Sequence, residues 1–196
     1  VCAFIEREFK SGVRTFIDIG AHYGYFTTLA GYLGMEVFAF EPDPINYRIL
    51  SRNIRINNLQ NVNTFKAGVG ENTEYLDFFG FSTGVSLIPE WGRNVSRRRF
   101  RAKVVKLDEH FNSELLIAKS VMKIDVEGHE EYVLRGAQRI LKESDSLTFI
   151  CEITFKERQN PNGTAKIEAR RLVDWLTSMG YFPHEILKSG ELRQLD

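Results

Sequence analysis

Phe16-Ile17-Asp18-Ile19-Gly20-Ala21-His22-Tyr23-Gly24 is an apolar run that ends in an acid, turns on a glycine and leads into a helical pattern at Phe26. A strand buried on both faces reads as a continuous apolar run, and a glycine at its carboxyl end lets the chain turn sharply before a helix. In open parallel sheets such a joint lies where ligands bind, outside the carboxyl ends of the strands. Gly20, Ala21, His22 and Gly24 are therefore expected around a bound nucleotide. Asp18 is expected to point into the crevice, and backbone N–H groups of the turn are expected to approach the ligand.

The alternation continues outward from this joint. Glu36 to Phe40, Val62 to Ala67, Ser120 to Asp125 and Leu147 to Glu152 are further short apolar runs. Between them Phe26, Leu29, Ala30 and Leu33, then Ile45, Ile49 and Ile56, then Val133, Ala137, Ile140 and Leu141, and later Ala169, Val173 and Leu176 recur at helical spacing. Strands taking turns with amphipathic helices predict an α/β, Rossmann-like domain, a mostly parallel sheet with helices on both faces. Tyr181 to Leu187 and Glu191 to Leu195, joined by Lys188, Ser189 and Gly190, predict a closing antiparallel hairpin. From 71 to 106 the pattern is broken by Gly80, Gly84, Pro89 and Gly92, which predicts a hairpin-rich insertion.

The 196 residues suffice for one core and are read as one domain, 1–196. Lys and Arg number 26 and Asp and Glu 26, so no overall field draws the molecule to nucleic acid or an anionic membrane. Cys2 and Cys151 stand far apart in unlike settings, which fits a reducing compartment. With no apolar run long enough for a membrane span and no signal-peptide pattern, a cytoplasmic location is expected. The chain opens mid-pattern at Val1, as a segment of a longer protein would.

A second acid, Glu41, ends the run Val37-Phe38-Ala39-Phe40 and is followed by Pro42. It lies about twenty residues beyond Gly20, where carboxylates accept hydrogen bonds from ribose 2′- and 3′-hydroxyls. A dinucleotide fingerprint needs G-x-G-x-x-G so that a pyrophosphate can approach the helix N-terminus. Here the spacing is Gly20-x-x-x-Gly24, which is tolerable for S-adenosylmethionine, a cofactor without phosphate, and awkward for NAD.

Phe16 to Phe26, Phe40-Glu41-Pro42-Asp43-Pro44, Asn53 to Leu59, Val105 to Phe111 and above all Met122-Lys123-Ile124-Asp125-Val126-Glu127-Gly128-His129, continuing to Ala137, resemble the FkbM-type methyltransferase family. The resemblance covers most of Thr15 to Glu152. It implies the class I methyltransferase fold with a seven-stranded sheet, S-adenosylmethionine as cofactor, and O-methylation of a sugar, glycan or natural-product small molecule. Many class I enzymes carry Asp or Asn after the third strand for the adenine amino group. This chain has Ala67-Gly68-Val69-Gly70 instead, leaving adenine to backbone and apolar contacts.

A hydroxyl acceptor must lose its proton, and the acids and bases stand where the fourth strand ends: Asp125, Glu127 and His129. His129 is the preferred general base because imidazole titrates near neutral pH. Glu127 orients it or the substrate, or caps the following helix. A rival use is a divalent metal held by Asp125, Glu127 and Glu152, hard oxygen ligands that suit Mg²⁺ or Ca²⁺. Arg93, Arg97, Arg98, Arg99, Arg101, Lys103 and Lys106 form a basic stretch that steers an anionic acceptor or decorates a solvated edge strand. Thin aromatic interleaving makes nucleic acid the weaker partner. An NAD-dependent oxidoreductase and a catalytically inactive cofactor-binding protein are the competing functions.

Overall fold

A computed structural model describes residues 1–81, 84–88, 98–111, 119–144, 146–151 and 164–195, with backbone alone at 164–169. Five strands form a wholly parallel sheet in the order β3-β2-β1-β7-β8: β1 (Thr15–Ile19), β2 (Glu36–Phe40), β3 (Val62–Phe65), β7 (Ser120–Ile124) and β8 (Leu147–Cys151). Alternation along the strands separates two cores. Phe16, Val37 and Val121 pack with Phe4, Ile5, Leu50 and Ile54 on one face. Ile17, Ile19, Met122 and Ile124 pack with Val133, Leu134, Ile140 and Leu176 on the other. The helices α1 (Cys2–Lys10), α2 (Tyr25–Leu33) and α3 (Pro44–Ile56) supply the first core. The second draws on α5 (Glu130–Arg135), α6 (Gln138–Glu143) and α7 (Thr164–Ser178).

The chain runs outward from β1 through β2 to β3, then returns to place β7 on the other side of β1. That reversal is the switch point at which open α/β sheets bind ligands. The insertion folds as a second sheet, β4-β6-β5, with β4 (Gly68–Val69) parallel and β5 (Glu74–Phe79) antiparallel to β6 (Arg99–Val105). A short α4 (Leu107–His110) leads back towards β7, and β9 (His184–Ile186) pairs with β10 (Leu192–Gln194) as the closing hairpin.

Several expectations need correction. Among the described residues the central sheet has five strands rather than seven, because β9 and β10 pair with each other in a sheet of their own. The third strand stops at Phe65, and Gly68–Val69 turns away to join β6. Among the described residues β6 is paired on both sides only towards Val104 and Val105, while Arg99, Arg101 and Lys103 are paired with β5 alone. The stripe of α3 was misjudged too: Asn46, Leu50 and Ile54 face the sheet while Ile45 and Ile56 are exposed, Ile56 at 61%. Asp43 fixes that start by accepting from the Ile45 and Asn46 N–H groups as N-cap, with Pro44 in the first turn.

Candidate active site

The tips of β1, β2 and β7 open on one cavity, lined at its polar end by Gly20, His22, Glu41, Asp125, Glu127 and His129. Ala21 and Pro42 also line it. The second sheet closes it with Val69 and Phe78, and the chain that follows β5 adds Val85 and Leu87, an apolar wall that the sequence did not assign. Gly68 and Val69 belong to that wall, so the stretch without an Asp or Asn meets the cavity through backbone and aliphatic surface.

Gly20 has φ +78, and a Cβ there would lie 1.9 Å from the Asp125 carbonyl oxygen, so the β1 and β7 tips approach each other only over glycine. The turn does not present its amides to the cavity, contrary to expectation. The Gly20 and Ala21 N–H groups both donate to the Phe40 carbonyl (3.1 and 3.0 Å), the His22 N–H donates to Glu41 Oε2 (2.8 Å), and the Gly24 N–H donates to the Ala21 carbonyl (2.8 Å). A pyrophosphate would find these donors already spent.

Glu41 is only 4% exposed yet reaches the cavity. Its carboxylate accepts from the His22 and Asp43 N–H groups (2.8 and 2.9 Å) and from the Asn46 amide (3.5 Å). Burial pushes its pKa up to about 7, against the pull of those hydrogen bonds. Asn46, buried and cavity-lining, is a candidate site residue that sequence reasoning missed, because it lies off the apolar stripe of Ile45, Ile49 and Ile56 expected to face the sheet.

Asp18 and Gly24 do not line the cavity. Asp18 is 0% exposed, accepts a hydrogen bond from Thr27 Oγ1 (2.6 Å) and faces Lys123 Nζ at 3.4 Å. Gly24 caps α2 at φ +85, where a Cβ would strike Leu50 Cδ1 at 2.4 Å. Both shape the turn from beneath. His22 takes a left-handed φ of 54, lies against the Tyr23 ring in a tilted contact with centroids 3.7 Å apart, and has its pKa lowered by burial.

On the opposite lip Asp125 is half-exposed and its N–H donates to the Ile19 carbonyl (3.1 Å). Glu127 is left-handed (φ 55), and its carbonyl accepts from Ser86 Oγ (2.7 Å), which ties this turn to the second sheet. The carboxylate that closes the turn belongs to Glu130 rather than Glu127: it accepts from the Val126 and Gly128 N–H groups (3.4 and 2.9 Å). The His129 ring stacks on Tyr132 with centroids 4.2 Å apart. Gly70 lies beside the ring, and a Cβ there would press on Val104 Cγ1 at 2.9 Å.

Asp125 and Glu127 share the cavity, while Glu152, the third carboxylate of the metal alternative, lies outside the described residues. Among the described residues no group of three His, Cys, Asp or Glu side chains is placed to hold a metal ion. Two residues of the basic stretch have acidic partners: Arg98 pairs with the Asp43 carboxylate and lies over the Phe100 ring (4.7 Å), and Arg99 pairs with Asp77. Arg93 and Arg97 lie outside the described residues. Cys2 and Cys151 are free thiols, and no helix among the described residues is long and apolar enough to cross a membrane.

A parallel sheet with its switch point between β1 and β7, an acid at the β2 tip and a glycine turn whose amides bond within the protein are the features of the class I methyltransferase fold. The structure is similar to that of a Klebsiella pneumoniae protein named for a prospective O-methyltransferase activity (11% identity, TM-score 0.52, covering 97% of this chain and 75% of that one). It is also similar to the precorrin-6y C5,15-methyltransferase of Geobacter metallireducens GS-15 (12% identity, TM-score 0.47, covering 89% of this chain and 66% of that one). A third similar structure is an rRNA methylase of Streptococcus thermophilus (12% identity, TM-score 0.45, covering 88% of this chain and 75% of that one). No curated protein matches the chain. The methyltransferase FkbM domain matches residues 18–183, and the chain belongs to that family. Membership carries the coarse activity, methyl transfer from S-adenosylmethionine.

Proposed function

We propose that this protein methylates the oxygen of a hydroxyl on a sugar, glycan or natural-product small molecule. The observation that carries the reading is the convergence of the glycine turn, the Glu41 carboxylate and the Asp125–His129 turn on one cavity. The residues fit the cofactor: a buried carboxylate with lone pairs to spare for ribose hydroxyls, aliphatic surface for adenine, and no anion cradle. S-adenosylmethionine supplies, when bound, a methyl group on a sulfonium.

The chain's own task is then positional. Holding an acceptor oxygen in line is worth about 7–11 kcal/mol of barrier. Phe78, Val85 and Leu87 exclude water from that space. His129 accepts the hydroxyl proton, a contribution of about 10²- to 10⁴-fold in rate. Asp125 and Glu127 orient the imidazole and the acceptor.

The test combines binding with turnover. Calorimetry with S-adenosylhomocysteine should give heat that Glu41→Ala removes, and NAD should give none. With labelled S-adenosylmethionine and a panel of sugar, glycan and phenolic acceptors, label should appear on oxygen. His129→Gln should lower kcat by about 10²-fold or more without changing S-adenosylhomocysteine affinity. Activity should survive EDTA. Nucleoside affinity indifferent to Glu41→Ala, or label on nitrogen or carbon, would overturn the proposal.

A further inference from the structure

Lys123 is the one buried cation among the described residues, 5% exposed on a strand whose neighbours Val121, Met122 and Ile124 are fully buried. An ammonium taken out of water is tolerated only where partners replace the lost hydration. Burial works against its charge, but Asp18 and Asp125 outweigh that effect and raise its pKa, so it remains an ammonium.

A counter-ion for Asp18 would need no more than the 3.4 Å contact between Nζ and Asp18 Oδ1. Nζ does more. It donates to the Gly20 carbonyl (3.2 Å) and lies 3.3 Å from Asp125 Oδ2. These two partners sit on opposite lips, Gly20 on the cofactor turn after β1 and Asp125 on the acidic turn after β7, and both line the cavity. An ammonium has three donors, and here two of them span the gap between the lips. The Phe26 ring, also cavity-lining, lies 5.5 Å from Nζ and covers it.

We propose that Lys123 is a positioning residue for methyl transfer, whose ammonium ties the Gly20 carbonyl to the Asp125 carboxylate and so holds the cofactor turn and the acidic turn as one unit. The proposal rests on the reading that this cavity holds the cofactor. Removing the tie loosens both lips, and it also strands the Asp18 carboxylate without a counter-charge. The two consequences can be separated.

Lys123→Met keeps the length of the side chain and removes the charge. Its midpoint of thermal unfolding should fall, and its dissociation constant for S-adenosylhomocysteine should rise at least tenfold. Asp18→Asn/Lys123→Met removes the stranded charge as well, while Thr27 can still donate to the amide oxygen. The double variant should regain thermal stability and keep the weakened affinity. If Lys123→Met does not fold, the double variant carries the test alone. Wild-type affinity in either variant overturns the proposal, since Lys123 would then be only a structural counter-ion. Failure of the double variant to fold overturns it too, because the ammonium would then be needed by the core. Glu41→Ala measured alongside keeps the two readings apart: unchanged affinity there removes the cofactor cavity itself, whereas a loss there with no loss at Lys123 removes only the tie.

Discussion

Raising the pH from 6 to 8 should tighten S-adenosylhomocysteine binding close to tenfold, and Glu41→Gln should abolish that dependence. Glu41 is buried at the β2 tip, and burial holds its pKa at about 7 despite the N–H groups of Asp43 and His22 and the Asn46 amide. Ribose hydroxyls donate best to the ionised carboxylate, so the charged fraction sets the apparent affinity. With a pKa of about 7 that fraction is roughly one tenth at pH 6 and nine tenths at pH 8, and binding at pH 7 should release about half a proton. His22 is separated from this step by the Glu41→Gln variant, and burial lowers its pKa, away from the window's centre. Fold stability runs the opposite way. The folded pKa is raised above the unfolded 4.5, so this contribution is complete below 4.5 and is lost as the pH climbs through 7, on the order of 3 kcal/mol in all. Calorimetry in buffers of differing ionisation enthalpy reads the affinity and the proton together, and urea unfolding reads the stability. A dissociation constant flat from pH 6 to 8, or the same slope in Glu41→Gln, would refute the reasoning.

Gly20→Ala should cost about 3 kcal/mol or more in chemical denaturation, because it combines a left-handed backbone with a Cβ placed against the Asp125 carbonyl. Arg98→Ala strands the fully buried Asp43 carboxylate and should cost about 2–3 kcal/mol in urea unfolding at pH 7. Burial alone would raise the Asp43 pKa, but Arg98 and the Ile45 and Asn46 amides hold it below the usual carboxylate range. Its stabilisation is therefore present above that range and lost on acidification, and Arg98→Ala should begin unfolding at a higher pH than wild type in an acid titration. Ser86→Ala removes the hydroxyl that donates to the Glu127 carbonyl and accepts from the Ile88 N–H, and should cost about 1 kcal/mol in thermal or urea unfolding.

The features legible in the sequence are those decided over a few residues. A run of apolar side chains fixes β1, the absence of a Cβ fixes the turn at Gly20, and the acid at Glu41 follows from where β2 ends. What could not be read depends on partners far along the chain. Lys123 meets Gly20 across 103 residues, Arg98 meets Asp43 across 55, and Ser86 meets Glu127 across 41. The stripe of α3 failed for a related reason: Ile45, Ile49 and Ile56 recur at helical spacing, but the helix is rotated by its Asp43 cap so that Asn46, Leu50 and Ile54 face inward. The largest misreading, amides offered to a ligand, has the most to say about specificity. The Phe40 carbonyl and the Glu41 carboxylate take up the N–H groups of Gly20, Ala21 and His22, and this bonds the tips of β1 and β2 to each other. A turn used in that way has these donors engaged, and under the proposed function recognition falls to Glu41 and to the apolar wall of Val69, Phe78 and Leu87. Hydroxyls and a flat apolar ring are what such a surface can select, and a nucleoside carrying a sulfonium in place of a pyrophosphate meets both requirements without asking the turn for a single donor.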